Sequence, residues 1–182
     1  MSLLSAEFFA RDTLTVARDL IGTTIVVGNC RGRIVETEAY TTDEASHSVT
    51  RKNQSVTMRE TYGYIYVYFI YGMYYCLNFT TDREGAGAVL IRAVEPLSGL
   101  EIMMQRRGIT DPKRLASGPG RLCEAFGIDL KMNGRQIGGE IKALARIDTP
   151  SISSSSRIGI TRATELEWRF YETASPFVSN HR

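Results

Sequence analysis

Residues 31–40 combine β-branched side chains with two carboxylates, a combination that could support acid–base chemistry. Side chains of a β-strand alternate between its two faces. Alternation therefore predicts that four side chains share one face: Ile34, Glu36, Glu38 and Tyr40. A carboxylate between an isoleucine and a tyrosine is unlike a solvated surface group. It is typical of a general base beside an aromatic-lined slot.

Residues 64–75 contain six tyrosines in twelve positions. Strand alternation places Tyr64, Tyr66 and Tyr68 on one face and mainly aliphatic side chains on the other. A thick core strand explains the aliphatic face well. Buried phenols each need a polar partner, so an aromatic wall that is open to a ligand explains the tyrosine face better.

Tyr71 stands directly before Gly72, at the predicted bend between two strands. Its ring is expected to project outward from the tip of the hairpin. Such a ring is either an ordinary exposed turn residue or a wedge that inserts between bases. The residues alone leave both interpretations open.

Arg92 interrupts an otherwise apolar strand at residues 88–94, so it needs a carboxylate partner if it is buried. Glu36 and Glu38 are the candidate partners. For Glu36 we expect a structural ion pair with a nearby arginine and no part in catalysis.

The motifs favour neither a metal site nor a nucleotide site nor a serine nucleophile. His47 and the three cysteines have no metal-ligand spacing, and His181 lies next to the terminus, where we expect disorder. The sequence has neither a glycine-rich nucleotide loop nor a nucleophile elbow. We therefore expect no metal and no cofactor.

The composition is that of an ordinary globular protein, with 182 residues, 43% of them hydrophobic and 23% charged. This length predicts a single domain spanning residues 1–182. No apolar run is long enough to cross a membrane, and the first residues do not resemble a secretory signal. The cysteines are odd in number and predict free buried thiols in an intracellular, reducing compartment: Cys30, Cys76 and Cys123.

The net charge of +2 is distributed unevenly. Residues 99–146 carry nine Lys and Arg against five Asp and Glu. A local basic excess is what a polyanion-binding face needs, but a solvated helix face would have the same composition.

The predicted elements mix strand hairpins with helices and lack βαβ alternation, which indicates an α+β domain. The predicted strands are residues 23–27, 31–40, 64–71, 74–80, 86–94, 141–147 and 157–160. The predicted helices are residues 12–22 and 97–107, and residues 115–126 contain Ser-Gly-Pro-Gly at 117–120 followed by an apolar helical run. Residues 41–62 and the serine run 153–156 are predicted as irregular loops.

Eight short motifs follow one another along the chain. They are Arg-Ile-Val-Glu-Thr-Glu-Ala-Tyr at 33–40, Ala-Ser-His at 45–47, Tyr-Val-Tyr-Phe-Ile-Tyr-Gly-Met at 66–73, Cys-Leu-Asn at 76–78, Leu-Ile-Arg-Ala-Val-Glu-Pro at 90–96, Ser-Gly-Pro at 117–119, Arg-Ile-Gly at 157–159 and Trp-Arg-Phe-Tyr at 168–171. Each motif is weak alone. In this order and spacing, the set resembles the alkyladenine (3-methyladenine) DNA glycosylases of the mammalian type, from about Phe8 to Ser179.

The resemblance implies a single α+β domain with a curved antiparallel β-sheet, hairpins and surrounding helices. It implies an enzyme that flips damaged purines out of double-stranded DNA and hydrolyses the N-glycosidic bond, leaving an abasic site. It also implies a monomer without a membrane partner, located at the bacterial nucleoid in the cytoplasm or in a eukaryotic nucleus.

The resemblance also implies roles for individual residues. Glu38 matches the general base that activates the attacking water, and Arg92 and the Ile158 carbonyl match groups that place this water. Asn78 matches a residue that excludes normal guanine. The residues implied to line the base pocket are Tyr40, His47, Tyr68 and Asn78. The residues implied to form the minor-groove wedge and to contact DNA are Tyr71, Met73, Tyr66 and Arg121.

General chemistry agrees with this reaction. An alkylated purine is often cationic, so electron-rich rings bind it with about 0.5–2 kcal/mol of cation–π energy. Its charge also makes it a good leaving group. An ionised Glu38 could stabilise the positive charge that develops on the sugar as well as deprotonate water. Since no lysine falls in the pocket motifs, we expect hydrolysis without a Schiff base or strand cleavage.

The chain departs from the family pattern at residues 52–59, which read Lys-Asn-Gln-Ser-Val-Thr-Met-Arg. The family usually carries Thr-Pro-Arg-Asn followed by Met-Phe in this stretch. The change at Gln54 removes a usual anchor of the loop. Arg51, Lys52 and Arg59 are candidates to restore attraction to the DNA backbone.

Two rival functions use the same residues. A non-catalytic module for damaged or single-stranded DNA would use the tyrosines as a stacking platform, but it leaves Glu38 unexplained. A carbohydrate hydrolase would use Glu36 and Glu38 as an acid–base pair. Two carboxylates two positions apart on one strand lie on the same side of a bound ring, which disfavours the second rival.

Overall fold

The sheet of this protein is built around its second strand, which is long enough to pair with three others. The structure, a computed structural model, describes residues 1–51, 53 and 55–179. The strands within these residues are β1 Thr24–Val27, β2 Cys30–Tyr40, β3 Ile65–Ile70, β4 Tyr74–Thr81, β5 Gly87–Ser98, β6 Ile141–Leu144, β7 Ile152–Ser155 and β8 Arg169–Glu172.

Strand β2 pairs with β5 along one edge, and β1 and β8 share its other edge. The main path of the curled sheet runs β3-β4-β5-β2-β1-β6, and β7 attaches to it through β8. All pairings between these strands are antiparallel. With the helices described next, this confirms the predicted α+β class.

Helices pack against the sheet and follow the N-cap signals in the sequence. The carboxylate of Asp12 accepts a hydrogen bond from the Thr15 backbone N–H at 2.9 Å, which begins the second helix as predicted. Gly22 follows the end of this helix with φ of +86°, a conformation that glycine adopts without strain. The helices are α1 Ala6–Phe9, α2 Thr13–Leu20, α3 His47–Thr50, α4 Val56–Glu60, α5 Leu100–Arg107, α6 Pro112–Leu115 and α7 Pro119–Phe126, with a 3₁₀ turn at Leu130–Met132.

A β-bulge in β2 decides which side chains face the core. The register with β5 shifts between Ile34 and Glu36 and again between Glu36 and Thr37. Ile34 therefore joins the main core together with Ala39, and the Thr37 hydroxyl donates to a carbonyl of α2. The prediction that Ile34 shares a face with Glu36 is wrong, because simple alternation does not continue through a bulge.

The two faces of the sheet differ in chemistry. One face packs against α2 and α7 in a hydrophobic core that contains Leu20, Phe79 and Phe126. A Cβ on Gly32 would lie 2.8 Å from the Phe126 ring, so the close approach of α7 to β2 requires glycine there. The other face carries a small cluster of Met58, Tyr66 and Ala88 with Tyr40 and Tyr68 packed against it. In β3, the predicted split between aliphatic and tyrosine faces is confirmed for residues 65–68.

Several element boundaries differ from the predictions. The helix predicted at 97–107 begins at Leu100, and the strand predicted at 141–147 ends at Leu144. Residues 41–62 contain the short helices α3 and α4, whereas the sequence predicted an irregular loop. Strand β5 continues past Pro96. Its pairing with β4 covers only residues 87–90, so β4 does not require a backbone N–H from residue 96, which proline lacks.

The serine run is not a loop but the strand β7, which pairs with the unpredicted strand β8. Its hydroxyls have partners, since Ser155 accepts from Arg169 at 2.9 Å and Ser153 contacts the Thr173 hydroxyl at 2.8 Å. The strand predicted at 157–160 is wrong. Those residues bend instead, with Gly159 at φ of +73°.

The cysteines Cys30, Cys76 and Cys123 are buried and free, as predicted. Among residues 1–51, 53 and 55–179, no helix has the length and apolar character needed to cross a membrane. His181 lies outside the described residues, so its expected disorder stays a prediction.

Candidate active site

The Glu38 carboxylate is fully buried and held by three contacts. Its Oε1 accepts a hydrogen bond from the Ile158 backbone N–H at 2.7 Å and lies 3.4 Å from Nη1 of Arg92. Its Oε2 accepts from the Tyr40 hydroxyl at 2.8 Å. The predicted grouping of Glu38 with Arg92 and Ile158 is thus present, but Ile158 contacts the carboxylate through its N–H.

Arg92 links Glu38 to a second buried carboxylate. Nε of Arg92 and Nε of Arg169 lie 3.0 and 2.7 Å from Oε1 of Glu36. The backbone N–H and hydroxyl of Ser179 donate to the same carboxylate at 2.7 and 2.8 Å. The structural ion pair expected for Glu36 is therefore present, and the predicted partnership of Arg92 with a strand carboxylate extends to both Glu36 and Glu38.

The electrostatics of Glu36 favour its ionised form. Burial alone would raise the pKa of this carboxyl. The positive charges of Arg92 and Arg169, with the hydrogen bonds from Arg169 and Ser179, outweigh burial and hold the pKa below its ordinary value.

A cavity of about 670 Å³ opens in front of Glu38. Tyr40, Arg92 and Ile158 line it, and Glu38 lies directly behind these three residues with no exposed surface. Other parts of its wall come from helices α3 and α4, strands β3 to β5 and the segment 117–121. The predicted base-pocket residues all belong to the wall: Tyr40, His47, Tyr68 and Asn78.

The wall is rich in aromatic rings, and its acidic and basic members are Glu44, Arg92, Arg121 and Arg162. The His47 ring centre lies 4.4 Å from that of Tyr68, and His47 Nδ1 lies 2.9 Å from the Tyr66 hydroxyl. Burial, with the positive charge of Arg51, lowers the pKa of His47 to about 4. Burial and then the charge of Glu38 raise the pKa of Tyr40 well above 10, so it remains a proton donor.

Asn78 and Cys76 present fixed groups at the floor of the cavity. Nδ2 of Asn78 donates to the Tyr66 carbonyl at 3.1 Å and to the Cys76 carbonyl at 3.3 Å, which fixes the orientation of the amide. Burial raises the pKa of the Cys76 thiol to about 11. The thiol is therefore protonated at neutral pH and is a poor nucleophile.

The hairpin between β3 and β4 carries Tyr71 at the rim of the cavity. Tyr71 has φ of +55° and Gly72 has φ of +68°, and the Met73 N–H donates to the Ile70 carbonyl at 3.3 Å. A bulky residue in this left-handed region is strained. The Tyr71 side chain is nevertheless 76% exposed, so burial does not compensate for the strain.

The other expected DNA contacts lie in different places. Arg121 lies on the cavity rim and is exposed, and Met73 is exposed on the hairpin. Tyr66 is only 2% exposed, which places it in the cavity wall and not on the outer surface. The basic residues of 99–146 do not all lie at the cavity, since Arg106 lines a separate groove and donates to the Ala125 carbonyl at 3.0 Å.

Sequence reasoning missed three residues that complete the site. Asp43, Arg157 and Ser179 hold the residues around Glu38, but each makes its contact across more than a hundred positions of the chain. The motif Arg-Ile-Gly at 157–159 was the only local signal, and it drew attention to Ile158 alone.

Lys52 and Gln54 lie outside the described residues, so the predicted loss of a loop anchor at Gln54 stays a prediction. Among the residues that the structure describes, no group of three or more His, Cys, Asp and Glu could hold a metal ion.

Comparison with known proteins places this chain among enzymes of DNA repair. The sequence model of the family described as methylpurine-DNA glycosylase (MPG) matches residues 7–176. A Rhizobium etli protein named "Putative 3-methyladenine DNA glycosylase" is 47% identical, and the match covers 94% of this chain and 86% of the relative. Proteins of the same name from Chlorobaculum parvum and Methanoculleus marisnigri are each 44% identical, covering 100% and 97% of this chain and 93% and 98% of the relatives.

The class to which these matches assign the chain is the DNA glycosylases. More narrowly, the chain belongs to the methylpurine-DNA glycosylase family, which confirms the resemblance drawn from its motifs.

The charge cluster yields a stability prediction. Glu36→Gln removes one charge from a buried network and leaves two arginines with less compensation, so we expect the free energy of unfolding to fall by about 3 kcal/mol. The melting temperature should fall by roughly 10 °C. Thermal and denaturant unfolding measure both quantities. Glu124→Gln, which breaks a more exposed pair with Arg107, is the matched control and should change stability by less than about 1 kcal/mol.

His47 yields a pH prediction. Its pKa is about 4 in the folded protein and about 6.5 when unfolded, so the unfolded chain binds more protons between these values. The free energy of unfolding should therefore decrease as pH falls from about 6.5 to about 4. His47→Gln should flatten this part of the profile in denaturant titrations at a series of pH values. An unchanged slope would show that other groups are responsible.

Proposed function

We propose that this protein excises alkylated purines such as 3-methyladenine from double-stranded DNA by hydrolysing the N-glycosidic bond. The observation that carries the proposal is the position of Glu38, which is fixed by Arg92, Tyr40 and Ile158 directly behind an aromatic cavity. The cavity volume falls within the range of about 300–1,000 Å³ typical of small-molecule sites. Family membership supports DNA as the partner.

The damaged base must leave the helix before it can enter such a cavity. Rotation out of the stack costs a few kcal/mol, and damaged pairs open at lower cost. We propose that Tyr71 occupies the space that the base vacates. Its exposure and its strained backbone at the cavity rim support this role, because strain at an exposed position is often retained for function.

The flipped purine would stack between Tyr40 on one side and His47 and Tyr68 on the other. A cationic purine gains from the negative faces of these rings. Neutral His47 adds no charge that would oppose it. Asn78, whose amide orientation is fixed, would discriminate between purines at the floor.

The chemical step needs water at Glu38. In the structure the Tyr40 hydroxyl donates to Oε2 of Glu38, so the attacking water would take that place or bind between Glu38 and Arg92. Glu38 accepts a proton as the water oxygen bonds to C1′ of the sugar. The bond from C1′ to the purine nitrogen breaks, and its electron pair leaves with the base and neutralises its positive charge. The product is an abasic site.

This route gives a monofunctional glycosylase. Strand cleavage by such enzymes requires an amine that attacks the sugar. The described residues that line the cavity include no lysine, which supports hydrolysis by water alone. We also retain the expectation of a monomer that acts inside the cell, where the three free thiols would stay reduced.

Glu38→Gln tests the general base. The amide keeps the shape of the side chain but cannot accept the proton, so release of 3-methyladenine should fall at least about 100-fold. Affinity for the damaged duplex should change little. Base release in single-turnover assays and binding by fluorescence anisotropy measure the two effects, with Glu101→Gln on the exposed face of α5 as the control.

Undiminished release by the Glu38→Gln variant would rule out Glu38 as the base. Binding of damaged DNA by the wild type without any release of base would instead favour the non-catalytic binding module.

Tyr71→Asn tests the wedge. Asparagine tolerates the left-handed conformation, and the exposed ring buries little, so the melting temperature should stay the same or rise. Excision from duplex DNA should fall at least about tenfold, whereas excision from a single strand should fall less because no stack has to be filled. Ile147→Asn, at a position that is 81% exposed and is not among the described residues that line the cavity, controls for the loss of an exposed apolar side chain. Equal losses on duplex and single strand would contradict the wedge.

A further inference from the structure

A buried cation lies against the Tyr40 wall of the cavity. Cζ of Arg157 lies 4.6 Å from the centre of the Tyr40 ring and 5.1 Å from that of Trp168. Arg157 is buried, and among the described residues that line the cavity Tyr40 is present but Arg157 is not. The guanidinium therefore occupies the ring face that is turned away from the cavity. A purine in the cavity would stack on the other face of the same ring.

Asp43 fixes the guanidinium in this place. Nη1 and Nη2 of Arg157 lie 3.2 and 2.7 Å from the two carboxylate oxygens of Asp43, and Nη1 also donates to the Ala39 carbonyl at 3.0 Å. The Asp43 side chain is almost fully buried, and burial opposes its charge, yet Arg157 keeps the pKa of this carboxyl below its ordinary value. The Asp43 carboxyl is therefore ionised at neutral pH.

The stacking on Tyr40 is maintained at a cost in hydrogen bonding. Nε of Arg157 is the only buried side-chain nitrogen or oxygen among the described residues that has no hydrogen-bond partner. Buried polar atoms are nearly always paired. An arginine that only tied two loops together would gain from a partner at Nε, whereas this one is sandwiched between the rings of Tyr40 and Trp168.

We propose that Arg157 is a specificity-determining residue that reduces the preference of the cavity for cationic over neutral purines. An aromatic ring attracts a cation through the negative face of its π system. A positive charge held on one face of Tyr40 repels a second positive charge stacked on the other face, and Asp43 compensates this repulsion only in part. A neutral purine experiences no such repulsion.

Arg157 acts through Tyr40 and touches neither purine nor water, so it is a positioning residue. The inference rests on the proposed function, since it assumes that a purine stacks on Tyr40. Arg157 also precedes Ile158, whose N–H holds Glu38. Excision rates would mix both effects, so the test measures binding instead.

The test measures the affinity of Glu38→Gln protein, which retains the base, for two duplexes. One duplex carries a single 7-methylguanine, a cationic purine, and the other carries a single hypoxanthine, a neutral purine. Two further changes are introduced into this protein. Arg157→Met with Asp43→Asn removes both charges of the pair, and Asp43→Asn alone leaves the cation uncompensated while its amide oxygen can still accept from Arg157.

The two changes should act in opposite directions. The ratio of affinities for the cationic over the neutral lesion should rise about tenfold in the double variant and fall several-fold with Asp43→Asn alone. Asp148→Asn, at an exposed carboxylate that pairs with Arg33, should leave the ratio unchanged. Melting temperatures of all variants confirm that they fold.

If Arg157 had only a structural role, both affinities would fall in proportion. An unchanged ratio of the two affinities in the Asp43→Asn variant would overturn the inference, even if the double variant does not fold. Failure of the proposed function is distinguishable. In that case the wild-type protein releases neither base, whatever the ratio of affinities among the variants.

Discussion

The position of Arg92 between two buried carboxylates is the constraint on which the site depends. Its Nε contacts Glu36 and its Nη1 contacts Glu38, so one guanidinium compensates two charges on the same strand. Two carboxylates without this cation would repel each other and resist burial. Glu36 in turn binds Arg169 and Ser179, which ties β8 and the C-terminal segment to β2. The charge cluster thus holds together three parts of the chain that are far apart in sequence.

The β-bulge at Glu36 makes this cluster compatible with an apolar core. Strand β2 supplies Ile34, Thr37 and Ala39 to the core side of the sheet and its two carboxylates to the other side. Regular alternation would have placed Ile34 with the carboxylates. Because of the bulge, β2 contributes side chains to the core on both sides of Glu36. The same strand places Glu36 and Glu38 on the side of the sheet that carries the cavity.

Protonation is controlled across the cavity by burial and by neighbouring charge. Burial keeps His47 and Cys76 neutral at physiological pH, and it keeps Tyr40 protonated so that its hydroxyl donates to Glu38. The charged side chains around the cavity are the arginines, the carboxylates that pair with them, and Glu44.

The sequence by itself determined the local features: the helix after Asp12, the hairpins around Gly28 and Gly72, the tyrosine face of β3 and the motifs that define the family. These features depend on neighbours within a few residues, so periodicity and turn chemistry predict them. Only the tertiary structure decided the bulge in β2, the pairing of the serine run with β8 and the place of Arg157 behind Tyr40. Each of these features depends on a partner far away in the chain. A strand register and a buried ion pair are set by the residues that tertiary folding brings next to them.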